Sequence, residues 1–103
     1  MKKAFAACAM AAALLATGVA HANEKLAQAS GCMTCHGVDK RIIGPSFKEI
    51  AGKYGKQKGA EAGLVTKVRD GGKGVWGDVP MPPNKHVKDE DIKTIVVWVL
   101  SQK

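Results

Sequence analysis

The sequence predicts a small all-α domain. Its 103 residues suffice for one domain with a thin apolar core. Ser46 and Glu49 have the spacing of a helix capping box. Apolar residues recur at helical spacing between Ile92 and Leu100, directly after an acidic stretch that suits a helix N-terminus. No internal repeat, second domain or low-complexity segment interrupts this pattern.

Two helices are predicted in the first half of the chain. Asn23 can cap a helix that begins at Glu24. Its apolar and thiol side chains are Leu26, Ala29, Cys32 and Cys35. The capping box starts the second helix. Its apolar positions are Phe47, Ile50, Ala51 and Tyr54.

Two further helices are predicted in the second half. Leu64, Val65 and Val68 form a short apolar face, and Gly71-Gly72 ends that helix. The last helix opens with Asp89, Glu90 and Asp91. Its β-branched residues could form a strand in isolation, but its length and acidic start favour a helix. Its apolar positions are Ile92, Ile95, Val96, Val99 and Leu100.

Residues 1–22 have the features of a cleaved secretory signal peptide. Two lysines precede a small and apolar run from Ala4 to Val19, and Ala20-His21-Ala22 is an A-x-A cleavage site. A retained membrane anchor is the alternative, but the run is Ala-rich and shorter than about 18 strongly apolar residues. We therefore expect export to the periplasm and a single mature domain over residues 23–103.

A short cysteine motif carries the chemistry. Gly31-Cys32-Met33-Thr34-Cys35-His36 contains C-x-x-C-H, the pattern of covalent c-type haem attachment. Positions i and i+3 share one face of a helical turn, so both thiols can reach one porphyrin, and His36 projects from the same face toward the iron. A thiol-disulfide exchange motif would need a βαβ setting, and a zinc site would need a fourth ligand.

A methionine among prolines is the second candidate ligand. Met81 lies in the sequence VPMPPN, where proline fixes the backbone and excludes both helix and central strand. A thioether is a soft neutral ligand that favours ferrous iron, and two permanent ligands leave no site for a substrate. His86 is the alternative ligand, in which case Met81 only packs in a turn. The lysines beside His86 favour a solvated position for it.

Taken together, these motifs resemble the class I c-type cytochromes, in particular the small bacterial cytochrome c-551/c-552 type. The resemblance spans residues 23–103. It rests on C-x-x-C-H, Gly44-Pro45, GVWG at 74–77, PMPPN at 80–84 and a last helix that bears Trp98. It implies about four short helices wrapped around one covalently attached haem c, and a role as a periplasmic electron carrier rather than an enzyme.

The resemblance also implies roles around the haem. The carbonyl of Pro45 would accept a hydrogen bond from His36, which fixes the tautomer of that ring. Asn84 would donate to the sulfur of Met81.

Two more residues acquire roles at the haem propionates. Trp76 would donate its indole N–H to one propionate, whereas Trp98 is expected in the core. Lys67 stands where relatives often carry an arginine, so a propionate contact is expected there without the planar fork of a guanidinium. An extra residue near positions 85–87 leaves the start of the last helix open.

The charge of the chain is positive. Removing residues 1–22, which include two lysines and no acidic residue, lowers the formal net charge from +7 to +5. We expect a monomer without stable membrane insertion or nucleic-acid binding, steered to acidic surfaces of redox proteins. Candidate partners are a quinol-oxidising complex upstream and an oxidase, nitrite reductase or peroxidase downstream. The cations that flank loops and helix ends are Lys40, Arg41, Lys53, Lys56, Lys58, Lys73, Lys85 and Lys88.

One alternative function uses the same haem. A peroxidase-like or ligand-binding protein would have a labile sixth site and distal acid-base residues, of which His86 is the candidate near Met81. A thiol oxidoreductase would instead need Cys32 and Cys35 free.

Overall fold

A computed structural model describes residues 21–103 and confirms the all-α prediction for them. Apart from its last two residues, the predicted signal peptide lies outside the described residues. The helices are α1 (residues 21–29), α2 (Phe47–Tyr54), α3 (Ala60–Asp70) and α4 (Asp89–Leu100). The described residues contain two isolated β-bridges, and none of them belongs to an extended β-strand. Within residues 21–103, no helix has both the length and the apolar character needed to span a membrane.

Helix α1 differs from its prediction at both ends. His21 is already helical, so Asn23 lies inside the helix of this chain and does not cap its start. The buried apolar residue of α1 is Ala27, whereas Ala29 is exposed. Gly31 has a φ of 89°, which ends the helical path before the cysteines. The cysteines therefore do not belong to α1, and a separate 3₁₀ turn at Cys32–Thr34 carries the motif.

The three other helices follow their sequence signals. At α2, Ser46 Oγ accepts from the Glu49 N–H, and the Glu49 carboxylate accepts from the Ser46 N–H, so the capping box is confirmed. Helix α3 ends at Asp70, directly before Gly71, whose φ is 80°. Helix α4 begins at Asp89, which settles its start, and Lys88 precedes it without a side-chain cap.

Helix α4 packs against α2 and α3, and the core lies where α4 meets α2 and Ala27 of α1. Trp98 is buried there, as predicted, and meets the Phe47 ring edge-on at a centroid distance of 5.3 Å. The core cluster consists of Ala27, Phe47, Ile95, Trp98 and Val99. Helix α3 adds no buried residue to the core. Its apolar side chains Leu64 and Val68 instead line a cleft, which a large apolar ligand would complete.

Candidate haem-binding site

A predominantly apolar cleft lies between the C-x-x-C-H turn, the helices α2, α3 and α4, and the loop that leads to Met81. Its volume is about 220 Å³, whereas a cavity for a single water needs about 10–15 Å³. The sequence-predicted site residues on its wall are Cys32, Cys35, His36, Pro45, Lys67, Trp76, Met81 and Asn84. The fold therefore gathers all eight of the predicted site residues around one cleft.

The two cysteine side chains lie on the wall of this cleft and are not joined by a disulfide. The N–H groups of Cys35 and His36 both donate to the Cys32 carbonyl, at 3.2 and 3.0 Å, which closes the turn and sets the spacing of the thiols. Burial raises the pKa of the Cys32 thiol because desolvation disfavours the thiolate, and nearby Cys35 adds to the rise.

His36 is buried and its ring is fixed from several directions. Its Nδ1 lies 2.6 Å from the Pro45 carbonyl oxygen. A carbonyl can only accept, so Nδ1 carries the proton and Nε2 keeps a free lone pair. The ring also stacks on Phe47 at a centroid distance of 5.4 Å. This tautomer and this orientation suit a metal ligand.

Gly44 gives the His36 ring its space. A Cβ atom on Gly44 would lie 2.7 Å from Cε1 and 3.1 Å from Nδ1 of that ring, closer than van der Waals contact allows. The sequence predicts Gly44 only as part of a motif and does not predict this steric role. A glycine directly before a proline, eight residues after the histidine, is a weak signal without tertiary information.

The main chain of Met81 is anchored to the end of α3. Met81 N–H donates to the Gly72 carbonyl at 2.7 Å, and Gly72 N–H donates back to the Met81 carbonyl at 3.1 Å. Gly71 permits the close approach, because a Cβ there would lie 2.6 Å from the Met81 carbonyl oxygen. Two proline neighbours and this paired bridge therefore fix the backbone from which the sulfur projects.

The Asn84 side chain bonds to two main-chain carbonyls. Its Nδ2 donates to the Val68 carbonyl at 3.0 Å and to the Pro82 carbonyl at 3.1 Å. These bonds connect the methionine loop to the C-terminal end of α3. The donation from Asn84 to the Met81 sulfur stays a prediction.

The remaining candidates divide into two groups. Lys67 and Trp76 line the cleft, so their predicted propionate contacts stay open. His86 is exposed and is not part of the cleft wall. Its Nε2 lies 3.3 Å from the Ser30 carbonyl, which gives the ring a partner away from the cleft. The position of His86 therefore does not favour it as an iron ligand.

A haem c fits the chemistry of this cleft. Two thiols lie on one turn, the neutral imidazole presents an unprotonated Nε2, and a soft thioether also lines the cleft. The rest of the wall is largely aliphatic and aromatic, as a porphyrin requires, and Gly44 keeps it open beside the imidazole.

Comparison with known proteins agrees with this fit. The cytochrome c family model matches residues 20–103, and the chain belongs to that family. It is a small class I c-type cytochrome, an electron carrier with one covalently bound haem c. It is similar to cytochrome c-552 of Nitrosomonas europaea, with 42% identity over 103 residues and 100% of both chains covered. It is also similar to cytochrome c-551 of Allochromatium vinosum, with 52% identity over 79 residues, 77% of this chain and 84% of the relative.

A solved structure supports the same fold. The crystal structure of wild-type Nitrosomonas europaea cytochrome c552 superposes with a TM-score of 0.76 at 41% identity. The match covers 78% of this chain and 99% of that chain. The class I cytochrome c fold is therefore confirmed.

Proposed function

We propose that this electron carrier works with a six-coordinate haem whose axial ligands are His36 and Met81, and that Cys32 and Cys35 form its thioethers. One observation carries the proposal: His36 and Met81 line the same apolar cleft, and hydrogen bonds fix the ring of one and the backbone of the other. When bound, the haem iron supplies the ferric–ferrous couple.

The residues around the cleft would keep the site rigid during electron transfer. The Pro45 carbonyl holds the His36 ring through Nδ1. The Gly72 bridge and the flanking prolines hold the backbone of Met81, and Asn84 fastens its loop to α3. A ligand set that changes little between two oxidation states needs little reorganisation, which favours fast electron transfer. Two permanent ligands would also leave no open position for peroxide or oxygen.

The absorption spectrum of the purified protein tests this ligation. We expect a Soret band and, in the oxidised form only, a weak band at about 700 nm from the methionine–iron bond. A haem protein with an open sixth site would lack the weak band, and a thiol protein would lack both. Absence of the weak band in the oxidised protein at neutral pH would contradict the assignment of Met81.

We further propose a periplasmic location and acidic redox partners. The signal peptide predicted from residues 1–22 supports the location. The free positive charge supports the second: of the eight loop and helix-end cations singled out in the sequence, only Arg41 forms a salt bridge within residues 21–103. Ile43, Val75 and Val79 line the cleft and are 55, 46 and 67% exposed, which gives a partner an apolar contact beside the haem site.

Electron transfer to an acidic protein partner is expected to slow as ionic strength rises. Screening shortens the reach of the lysine field to about 8–10 Å near physiological salt, which lowers the association rate. Stopped-flow rates at increasing salt measure the effect. An uncharged small-molecule reductant is the control, and its rate should change little. Equal salt dependence for both reagents would assign the lysines to solubility alone.

A further inference from the structure

Trp76 lies on a loop whose backbone alone fixes it weakly. The ring is half-buried on the wall of the cleft. The loop around it has positive φ at Gly74 and Gly77, 99° and 124°, and one hydrogen bond of 2.9 Å from Gly74 N–H to the Gly77 carbonyl. Such glycines give the unfolded loop many alternative conformations, so side-chain contacts are needed to hold the indole in one place.

Two cations from separate segments supply those contacts. The Arg41 guanidinium carbon lies 5.8 Å from the centre of the Trp76 ring, and Lys53 Nζ also lies 5.8 Å from it. Arg41 comes from the loop after the C-x-x-C-H motif, and Lys53 comes from the last turn of α2. Both distances fall within the range of about 6 Å in which a cation is attracted to an aromatic face.

Each cation is itself anchored by a second contact. Arg41 forms an ion pair with Glu49 at 3.2 Å, and Glu49 is fixed by the capping box of α2. Lys53 also lies over its neighbour Tyr54, with Nζ 5.7 Å from the centre of that ring. Through these contacts, Arg41, Lys53 and Trp76 connect the loop after the haem motif, the helix α2 and the loop around Trp76.

We propose that Arg41 and Lys53 are positioning residues for Trp76. They hold the indole on the wall of the cleft and place positive charge at the rim of the cleft. The inference rests on the proposed function, because Trp76 can act on the haem only if the cleft holds one. A positive charge near the haem stabilises the reduced state, so the same two residues raise the reduction potential.

Three single variants test the proposal with equal changes of net charge. Arg41→Gln and Lys53→Gln each remove one cation from Trp76. Lys56→Gln is the matched control, because Lys56 is exposed and lies over no aromatic ring in the described part of the chain. The measurement is hydrogen exchange of the Trp76 indole N–H, by NMR of the reduced holoprotein. The indole of Trp98, buried in the core, is the internal reference.

The indole N–H of Trp76 is expected to exchange about 2–5-fold faster in Arg41→Gln and in Lys53→Gln. Loss of one exposed cation–π contact should favour local opening of the Trp76 loop by that factor. Exchange in the double variant should be roughly 4–25-fold faster if the two contacts are additive. Exchange of Trp98 should be unchanged in all variants. Arg41→Lys should keep most of the protection, because it keeps the cation.

The reduction potential gives a second readout. It should fall further in Lys53→Gln than in Lys56→Gln, although both lose one charge. Equal Trp76 exchange and equal potentials in these two variants would overturn the proposal. The weak band at about 700 nm reports on Met81 and should persist in every variant of Arg41 and Lys53. Its presence therefore separates a failure of this proposal from a failure of the ligand assignment.

Discussion

Replacing Met81 with Ala is expected to remove the sixth iron ligand while the loop that carries it stays in place. The bonds that anchor Met81 to Gly72, at 2.7 and 3.1 Å, use only the main chain. The oxidised variant should lose the band at about 700 nm and bind cyanide, and the reduced variant should bind carbon monoxide. Its potential should fall by on the order of 100 mV or more, because the thioether no longer favours ferrous iron.

Met33→Ala is the matched control for this substitution. Met33 lies inside the C-x-x-C-H motif, packs against the core and does not line the cleft. Its truncation should lower the free energy of unfolding by creating a cavity, and it should leave the spectrum unchanged. Each of the two single substitutions should thus destabilise the protein, but only Met81→Ala should change the iron ligation.

Two further variants separate a ligand from a packing residue. Met81→His should keep six-coordination and still lower the potential, because imidazole favours ferric iron more than a thioether does. His86→Ala should leave the spectrum and the potential nearly unchanged, because His86 bonds to Ser30 outside the cleft. Persistence of the weak band in Met81→Ala would show that Met81 only packs in a turn.

Local sequence signals were sufficient for most of the fold. The capping box at Ser46 and Glu49, the stop at Gly71 and the acidic start at Asp89 each depend on residues within one turn, and each is confirmed. The path from α1 to the cysteines was not predicted correctly. Helical spacing continues through residues 26–35, and only the left-handed conformation of Gly31 shows that the helix ends there.

Contacts between distant segments were beyond the sequence signals. Asn84 bonds to a carbonyl 16 residues away, and its partner could not be read from its neighbours. The sequence places Arg41 and Lys53 among the cations that flank loops and helix ends, which is typical of solvated side chains. Their proximity to Trp76 depends on how α2 packs beside the loop around Trp76. The motif gave the chemistry of the site, whereas the residues that position its parts required the tertiary structure.

Gly44→Ala is expected to disturb the His36 ring without straining the backbone. Gly44 is not among the glycines with positive φ, so alanine can adopt its backbone conformation. The added Cβ would lie 2.7 Å from the ring carbon Cε1. The ring cannot simply move away, because Pro45 holds Nδ1 at 2.6 Å and Phe47 stacks on it. Overpacking of this kind costs about 1–3 kcal/mol of stability.

Thermal unfolding of the holoprotein and NMR of the His36 ring measure this effect, with Gly52→Ala as the control. Gly52 lies inside α2, and a Cβ there meets nothing within 4 Å. Because alanine is the better helix former, Gly52→Ala should raise stability by about 0.5–1 kcal/mol. The same substitution should thus have opposite signs at the two positions. If Gly44→Ala is as stable as Gly52→Ala and leaves the ring resonances unshifted, the close contact between Gly44 and His36 does not constrain the site.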